Sequence, residues 1–320
     1  MKVFVTGGTG VLGRRLVPRL IEKGHEVVAM SRSDANDKRL SSLRALPARA
    51  TLWDHKRLAA AMAGCDLVIH AATKIPTQTG KDYAVWRDND RIRTDGTRNL
   101  LDAAREADVS RFHFQSIVWV AKPGPNSAAF AEDTAPSPLR ATSSAVEGEL
   151  ITQGAARHGM ATTVLRCGQF YAADSAHSQA FATGLINQKM AVVGRGSNRW
   201  AMIHADDAAD AFAHAAENPS VQGCYHVVDD EAVTQRDFFN ELANLLDAKK
   251  PPRVPAFLAR LMIGSDITEF MTRDMATGNQ ALKATGWRPF HPTYREGLAA
   301  IVAAWRADDT LAQWTGEAAR

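Results

Sequence analysis

The stretch Met1-Lys2-Val3-Phe4-Val5-Thr6-Gly7-Gly8-Thr9-Gly10-Val11-Leu12-Gly13 decides the fold. Val3, Phe4 and Val5 form a short apolar run that reads as a buried strand. Glycines follow at positions 7, 10 and 13, and Leu12, Leu16, Leu20 and Ile21 then recur at helical spacing. A glycine triplet is a dinucleotide fingerprint only between a strand and a helix, which is its setting here. Gly7 permits a tight turn at positive φ, Gly10 lets the backbone approach a pyrophosphate, and Gly13 lets helix and strand pack closely. The helix start adds free N–H groups and the positive end of a dipole. Thr6, Gly7, Gly10, Val11 and Leu12 are therefore the expected phosphate-cradling positions.

The bulk numbers narrow the class. A chain of 320 residues can bury a large core in one or two domains. A hydrophobic content of 45% and a charged content of 23% are ordinary for a globular enzyme. The net charge of +3 is too small to argue for nucleic acid, and no basic block interleaves with aromatics. No apolar run reaches the ~18 residues of a membrane span. The opening strand does not read as a signal peptide. Cys65, Cys167 and Cys224 are odd in number and widely spaced, which fits a reducing compartment and neither a zinc site nor a disulfide framework. The expectation is a cytoplasmic protein that acts on a small molecule, without metal, nucleic-acid or membrane partners.

Strand-like runs recur at Val3–Thr6, Glu26–Met30, Ala50–Trp53, Leu67–Ala71, Arg111–Gln115 and Thr162–Arg166. Helical patterns lie between them, including about 86–107 and 143–157. This alternation predicts an α/β fold: a Rossmann-type, doubly wound parallel sheet. Its ligands belong at the carboxyl ends of the strands. Residues 1–170, with about 203–228 returning to the sheet, form the expected dinucleotide-binding part. About 171–202 and 229–320 form a smaller, mainly helical substrate part. Arg32 follows the second strand, where an acid would hold NAD ribose hydroxyls and an arginine the 2′-phosphate of NADP. Ser31-Arg32-Ser33 favours NADP(H) over NAD(H), with Asp34 on an NAD ribose as the alternative.

Further stretches carry a family likeness: Gly64-Cys65-Asp66-Leu67-Val68-Ile69-His70-Ala71-Ala72, Gly96-Thr97-Arg98-Asn99-Leu100-Leu101, Val164-Leu165-Arg166, Ile203-His204-Ala205-Asp206-Asp207-Ala208, and Asn279 with Gly286-Trp287-Arg288-Pro289. With the opening turn, the chain resembles the extended short-chain dehydrogenase/reductase superfamily, in its NAD-dependent epimerase/dehydratase branch. The resemblance implies that Asp54 accepts from the adenine amino group, although a helix N-cap explains it equally. It implies that Ala71, Ala72 and Thr73 line the cofactor, and that Cys167, Gly168 and Phe170 lie in the loop that meets the nicotinamide. It also suggests a homodimer paired through the long helices, with Ile92 and Leu100 among the contacts.

The departures matter as much. The superfamily uses a Tyr-x-x-x-Lys pair, a Ser or Thr after the fifth strand, and an Asn in the long helix. Counting back from Glu147 puts Leu139 and Ser143 on the Tyr and Lys positions. Ile117 falls on the hydroxyl position, with Ser116 one residue early, and Arg93 on the Asn position. No tyrosine lies between Tyr83 and Tyr171, so the missing pair does not depend on register. Leu139 cannot exchange a proton with an alcohol oxygen. Tyr171, Lys74, Gln115 and Ser116 are the candidate catalytic residues, with Tyr83, Lys122 and His113 in reserve, and Ser116 also a candidate cofactor contact. Lys74, Arg93 and Lys122 would make the cleft electropositive and attract an anionic or carbonyl substrate. Against these readings stand packing for Tyr171, Trp53, Trp119 and Trp200, a small buried hydrophobe for Cys167, and solvated charge for Lys74, Arg93 and Lys122. His204 with Asp206 and Asp207 reads as a helix start with an aspartate cap rather than a metal site. The leading function is an NADP(H)-dependent reductase passing hydride to a small carbonyl or activated electrophile without the usual relay. An epimerase or dehydratase with substituted residues, and a non-catalytic NADP-sensing regulator, are the alternatives.

Overall fold

The computed structural model describes residues 1–76, 83–123 and 129–315. Strands β1 (Lys2–Thr6), β2 (Glu26–Ser31), β3 (Leu46–Arg49), β4 (Leu67–His70), β5 (Arg111–Ile117) and β6 (Ala161–Cys167) belong to one sheet. Four short strands follow: β7 (Gln169–Tyr171), β8 (Val192–Val193), β9 (Arg199–Trp200) and β10 (Met202–His204). β11 (Gly223–Val227) then returns to complete a parallel sheet of seven strands in the order β3-β2-β1-β4-β5-β6-β11. β4 is buried along its whole length and β1 along all but its first residue, as expected for strands covered on both faces. The α/β doubly wound fold is as the sequence predicts.

Two elements differ from expectation. The strand expected at Ala50–Trp53 lies upstream at Leu46–Arg49. As the edge strand it tolerates Pro47 and a Leu46 that is 53% exposed. Ala50 and Leu52 carry the misleading apolar signal because they pack, as a loop, beneath helix His55–Met62. The single helix expected over about 86–107 is broken into Arg87–Arg91, a π-turn over Ile92–Gly96, and Thr97–Glu106. Such π-turns concentrate at functional sites.

Three apolar cores organise the chain. One lies between the sheet and helices Gly13–Glu22 and Ala205–Glu217, around Leu16, Val17, Ala208 and Phe212. A second, on the other face, holds Leu58, Met62, Leu100, Phe112 and Phe114. Leu100 is fully buried there, so it cannot be the dimer contact suggested above. The third core gathers Tyr171, Trp200, Phe238, Phe239, Leu298 and Trp305 in the C-terminal half. It also takes in Val118, Trp119, Phe130 and Leu139 from the nominal dinucleotide part, while Leu282 and Trp287 join the first core. Side chains from both expected parts thus share the first and third cores.

Candidate active site

The turn after β1 is backbone packed on backbone. Gly7 has φ +73°, and a Cβ there would lie 2.6 Å from the Ala71 carbonyl oxygen. The Gly10 N–H donates to the Gly7 carbonyl at 2.9 Å, and a Cβ on Gly13 would overlap that same oxygen. Thr6 Oγ1 lies 2.8 Å from His70 Nδ1 and accepts from the Ala72 N–H at 3.3 Å, which ties the ends of β1 and β4 together. No side chain caps helix Gly13–Glu22, and no acid stands in its first turn. The nearby Arg14 and Arg15 are held by Asp174. An uncapped helix start behind a side-chain-free turn fits a dinucleotide pyrophosphate. Thr6, Gly7, Gly10, Val11 and Leu12 would hold it.

At the end of β2, Ser31 is buried and donates to the Ser33 carbonyl at 3.2 Å. Ser33 caps helix Asp34–Ser42 by accepting from the Asn36 N–H. Asp34 is paired with Arg49. Arg32 is exposed and makes no hydrogen bond or ion pair among the described residues. Asp54 caps helix His55–Met62, accepting from the Arg57 N–H at 3.1 Å. Trp53 lies outside the cores, with the Arg91 guanidinium 4.2 Å from its ring centroid.

The reaction edge is built differently. Ser116 is 1% exposed and donates to Glu149 Oε1. Glu149 also accepts from Arg166 Nε at 2.9 Å and Nη2 at 2.8 Å, while Arg166 Nη1 donates to the Glu132 carbonyl at 3.0 Å. Sequence reasoning missed this sealed ion pair, although an arginine inside the apolar run of β6 signals that a buried acid must answer it. The acid on that helix face is Glu149, whereas Glu147 pairs with Arg98 on the surface. Counting back from Glu149 instead moves the Tyr and Lys positions to Ala141 and Ala145. Neither register supplies a phenol or an ammonium. Gln115, facing opposite to Ser116, is half-buried and makes no side-chain hydrogen bond among the described residues.

Other candidates are committed elsewhere. Lys74 is exposed and paired with Asp88 at 2.5 Å. Tyr171 is 1% exposed, inside the third core, and its hydroxyl donates to Asp229 Oδ2 at 2.8 Å. Burial holds both the phenol and the Asp229 carboxyl well above their ordinary pKa values. The phenol expected as a catalytic acid is thus packed in the third core with its hydroxyl satisfied by Asp229. Trp119 and Trp200 are buried in the same core. Cys167 is 2% exposed, and burial pushes its thiol far up, so it is no nucleophile. A Cβ on Gly168 would lie 2.7 Å from the Ala201 carbonyl oxygen. Phe170 packs partly buried against the first core.

His204, not an aspartate, caps helix Ala205–Glu217, its Nδ1 accepting from the Asp206 N–H. Ligand atoms of His204, Asp207 and His291 lie within 4.8 Å of one another. The Asp207 carboxylate, however, accepts from the Phe290 and His291 N–H groups and from His291 Nδ1. It fastens the C-terminal segment to the sheet. Burial, then the neighbouring His291, lowers the His204 pKa to about 4. No described helix is long and apolar enough to cross a membrane.

The parallel sheet, glycine turn and uncapped helix define a dinucleotide-binding α/β enzyme. The model of the NAD dependent epimerase/dehydratase family matches residues 3–229, and the chain belongs to that family. A 3-diazoavenalumate denitrifying reductase from a Streptomyces species is 32% identical over 307 residues, spanning 93% of this chain and 99% of that protein. The decarboxylating sterol-4-alpha-carboxylate 3-dehydrogenase of Dictyostelium discoideum is 31% identical over 249 residues, spanning 75% and 74%. The fold is shared with the crystal structure of the human epimerase family protein SDR39U1 with NADPH, at a TM-score of 0.79 and 20% identity over 95% of this chain and 99% of that one.

Proposed function

We propose that this enzyme is an NADP(H)-dependent reductase that delivers hydride to an electron-poor small molecule without a phenol–ammonium proton relay. The carrying observation is the reaction edge itself: Leu139 and Ser143 in one register, or Ala141 and Ala145 in the other, with Ser116 sealed against Glu149. Arg32, exposed and unpaired at the end of β2 while Asp34 is held by Arg49, supports NADPH over NADH. When bound, the dinucleotide supplies the hydride.

The chain's own part is to position and to exclude water, and orientation alone contributes several kcal/mol to such a step. Gln115 carries the free hydrogen-bonding side chain at the end of β5 and would orient the acceptor or the nicotinamide ribose. An acceptor that needs no enzymic acid suits this site: a diazonium loses dinitrogen on taking hydride, and a quinone or conjugated carbonyl takes its proton from water. The named diazo-compound reductase among the relatives supports that class, and both relatives above are named for carboxylate substrates.

The test is NADPH oxidation by the purified protein with a substituted benzenediazonium, a naphthoquinone and a conjugated enone. At least one should turn over, and Tyr171→Phe should retain its rate within about threefold. NADPH binding without oxidation by any of the three overturns the reading. A Tyr171→Phe rate at background would instead favour an epimerase- or dehydrogenase-like cycle with that phenol as acid.

A further inference from the structure

Arg93 stands in the π-turn of the long helix, 4% exposed. Its Nε is sealed without a hydrogen-bond partner, and no carboxylate pairs with the guanidinium among the described residues. A buried charge left without a partner is strongly destabilising, so its retention calls for a reason. Burial lowers its pKa only to about 10, so the group stays cationic at neutral pH.

Two more unpartnered groups stand on the elements packed against this turn, the helical turn before it and helix Ser143–Gly154. Asn89, one turn earlier on the same buried face, accepts from the Lys74 N–H at 3.0 Å, which leaves its buried Nδ2 unused. That bond fastens the segment after β4, the expected cofactor wall, to the helix. Ser144, on the facing helix Ser143–Gly154, is 5% exposed and its Oγ has no partner. It lies one turn before Gly148, where a Cβ would come within 2.7 Å of the Arg93 carbonyl oxygen. Of the acids that face Arg93, Glu149 is bonded to Arg166 and Ser116, and Asp90 accepts from the Tyr83 hydroxyl on Oδ2 at 2.9 Å; neither bonds the guanidinium.

We propose that Arg93, Asn89 and Ser144 form a receptor for a carboxylate on the molecule that accepts hydride. This rests on the reductase reading and names its substrate class. A planar guanidinium with two neutral donors matches the two oxygens of a monoanion. One cation with two neutral donors balances a monoanion and leaves the second charge of a phosphate dianion uncompensated.

The test needs no turnover. NADPH-loaded protein is titrated, by thermal shift and calorimetry, with benzoate, cinnamate and octanoate, each beside its methyl ester, and with inorganic phosphate. At least one carboxylate should bind tenfold or more tighter than its ester and than phosphate. Arg93→Met should abolish that preference, Arg93→Lys should keep part of it, and Ser144→Ala should weaken it threefold or more. Arg93→Met should also melt no lower than wild type before the anion is added, because it removes an unpaired buried charge. Equal binding of acid and ester, equal binding of phosphate, or a preference that survives Arg93→Met overturns the receptor. If Arg93→Met does not fold, Arg93→Lys and Ser144→Ala decide. Carboxylate binding in a protein that reduces no acceptor would sink only the reductase reading, and NADPH oxidation without carboxylate preference would sink only the receptor.

Discussion

At the turn after β1 the tightest approaches, around Gly7 and Gly13, are backbone against backbone, whereas at the end of β5, on the same edge of the same sheet, charged side chains close the structure. Around Gly7 and Gly13 there is no room for a Cβ, and polar capacity is left as bare amides at a helix start. Around Ser116 the polar capacity is spent internally on Glu149 and Arg166, while the Gln115 side chain and the Arg93 group remain uncommitted among the described residues. The first region is shaped to receive a ligand by omission of side chains. The second is closed by a buried ion pair between Glu149 and Arg166.

Acid is the largest perturbation of this arrangement, because both regions ride on buried neutral histidines. Burial lowers His70, on β4, to about 4 and His113, on β5, to about 3, and His226, on β11, likewise to about 3. Their folded pKa values lie below the unfolded value, so the unfolded chain binds more protons and stability falls as pH falls. The loss begins near pH 6.5 and continues to about 4 and 3, at up to about 1.4 kcal/mol per pH unit for each group. Melting temperature should be level above neutrality and drop steeply below it, and His113→Phe should flatten the slope. A level profile down to pH 4.5 would refute this account.

Glu149→Ala comes next, leaving Arg166 buried and unpaired at a cost of about 3–5 kcal/mol in urea unfolding. Replacing both partners, by Glu149→Leu with Arg166→Met, should restore much of it. A loss below about 1 kcal/mol would erase the contrast between the two regions. Gly13→Ala should cost about 1–3 kcal/mol of stability through overpacking and also remove NADPH binding in calorimetry, whereas the double replacement of Glu149 and Arg166 should leave that binding measurable. The smallest effect belongs to Arg32→Ala. It should weaken NADPH about tenfold and leave NADH within twofold, which sharpens the cofactor assignment.

The cradle was legible in the sequence because its determinants are local: glycine conformation, a strand and a helix within one short stretch. The reaction edge was legible only as a loss. Nothing near Ser116 announces that its partner is Glu149, 33 residues on, and nothing near Tyr171 shows that Asp229, 58 residues on, takes its hydroxyl. The apolar rhythm at Ala50–Trp53 came from loop packing, so periodicity placed that strand a few residues late. His204 rather than an aspartate caps its helix because the Asp207 carboxylate is drawn to the Phe290 and His291 amides.

By itself, the sequence determined the α/β class, the glycine turn and the absence of a Tyr-x-x-x-Lys pair, since each follows from which residues stand close along the chain. Only the tertiary structure decided which polar groups are free. Burial makes a partner obligatory, and the partner is chosen by whichever distant segment the fold brings within hydrogen-bond reach.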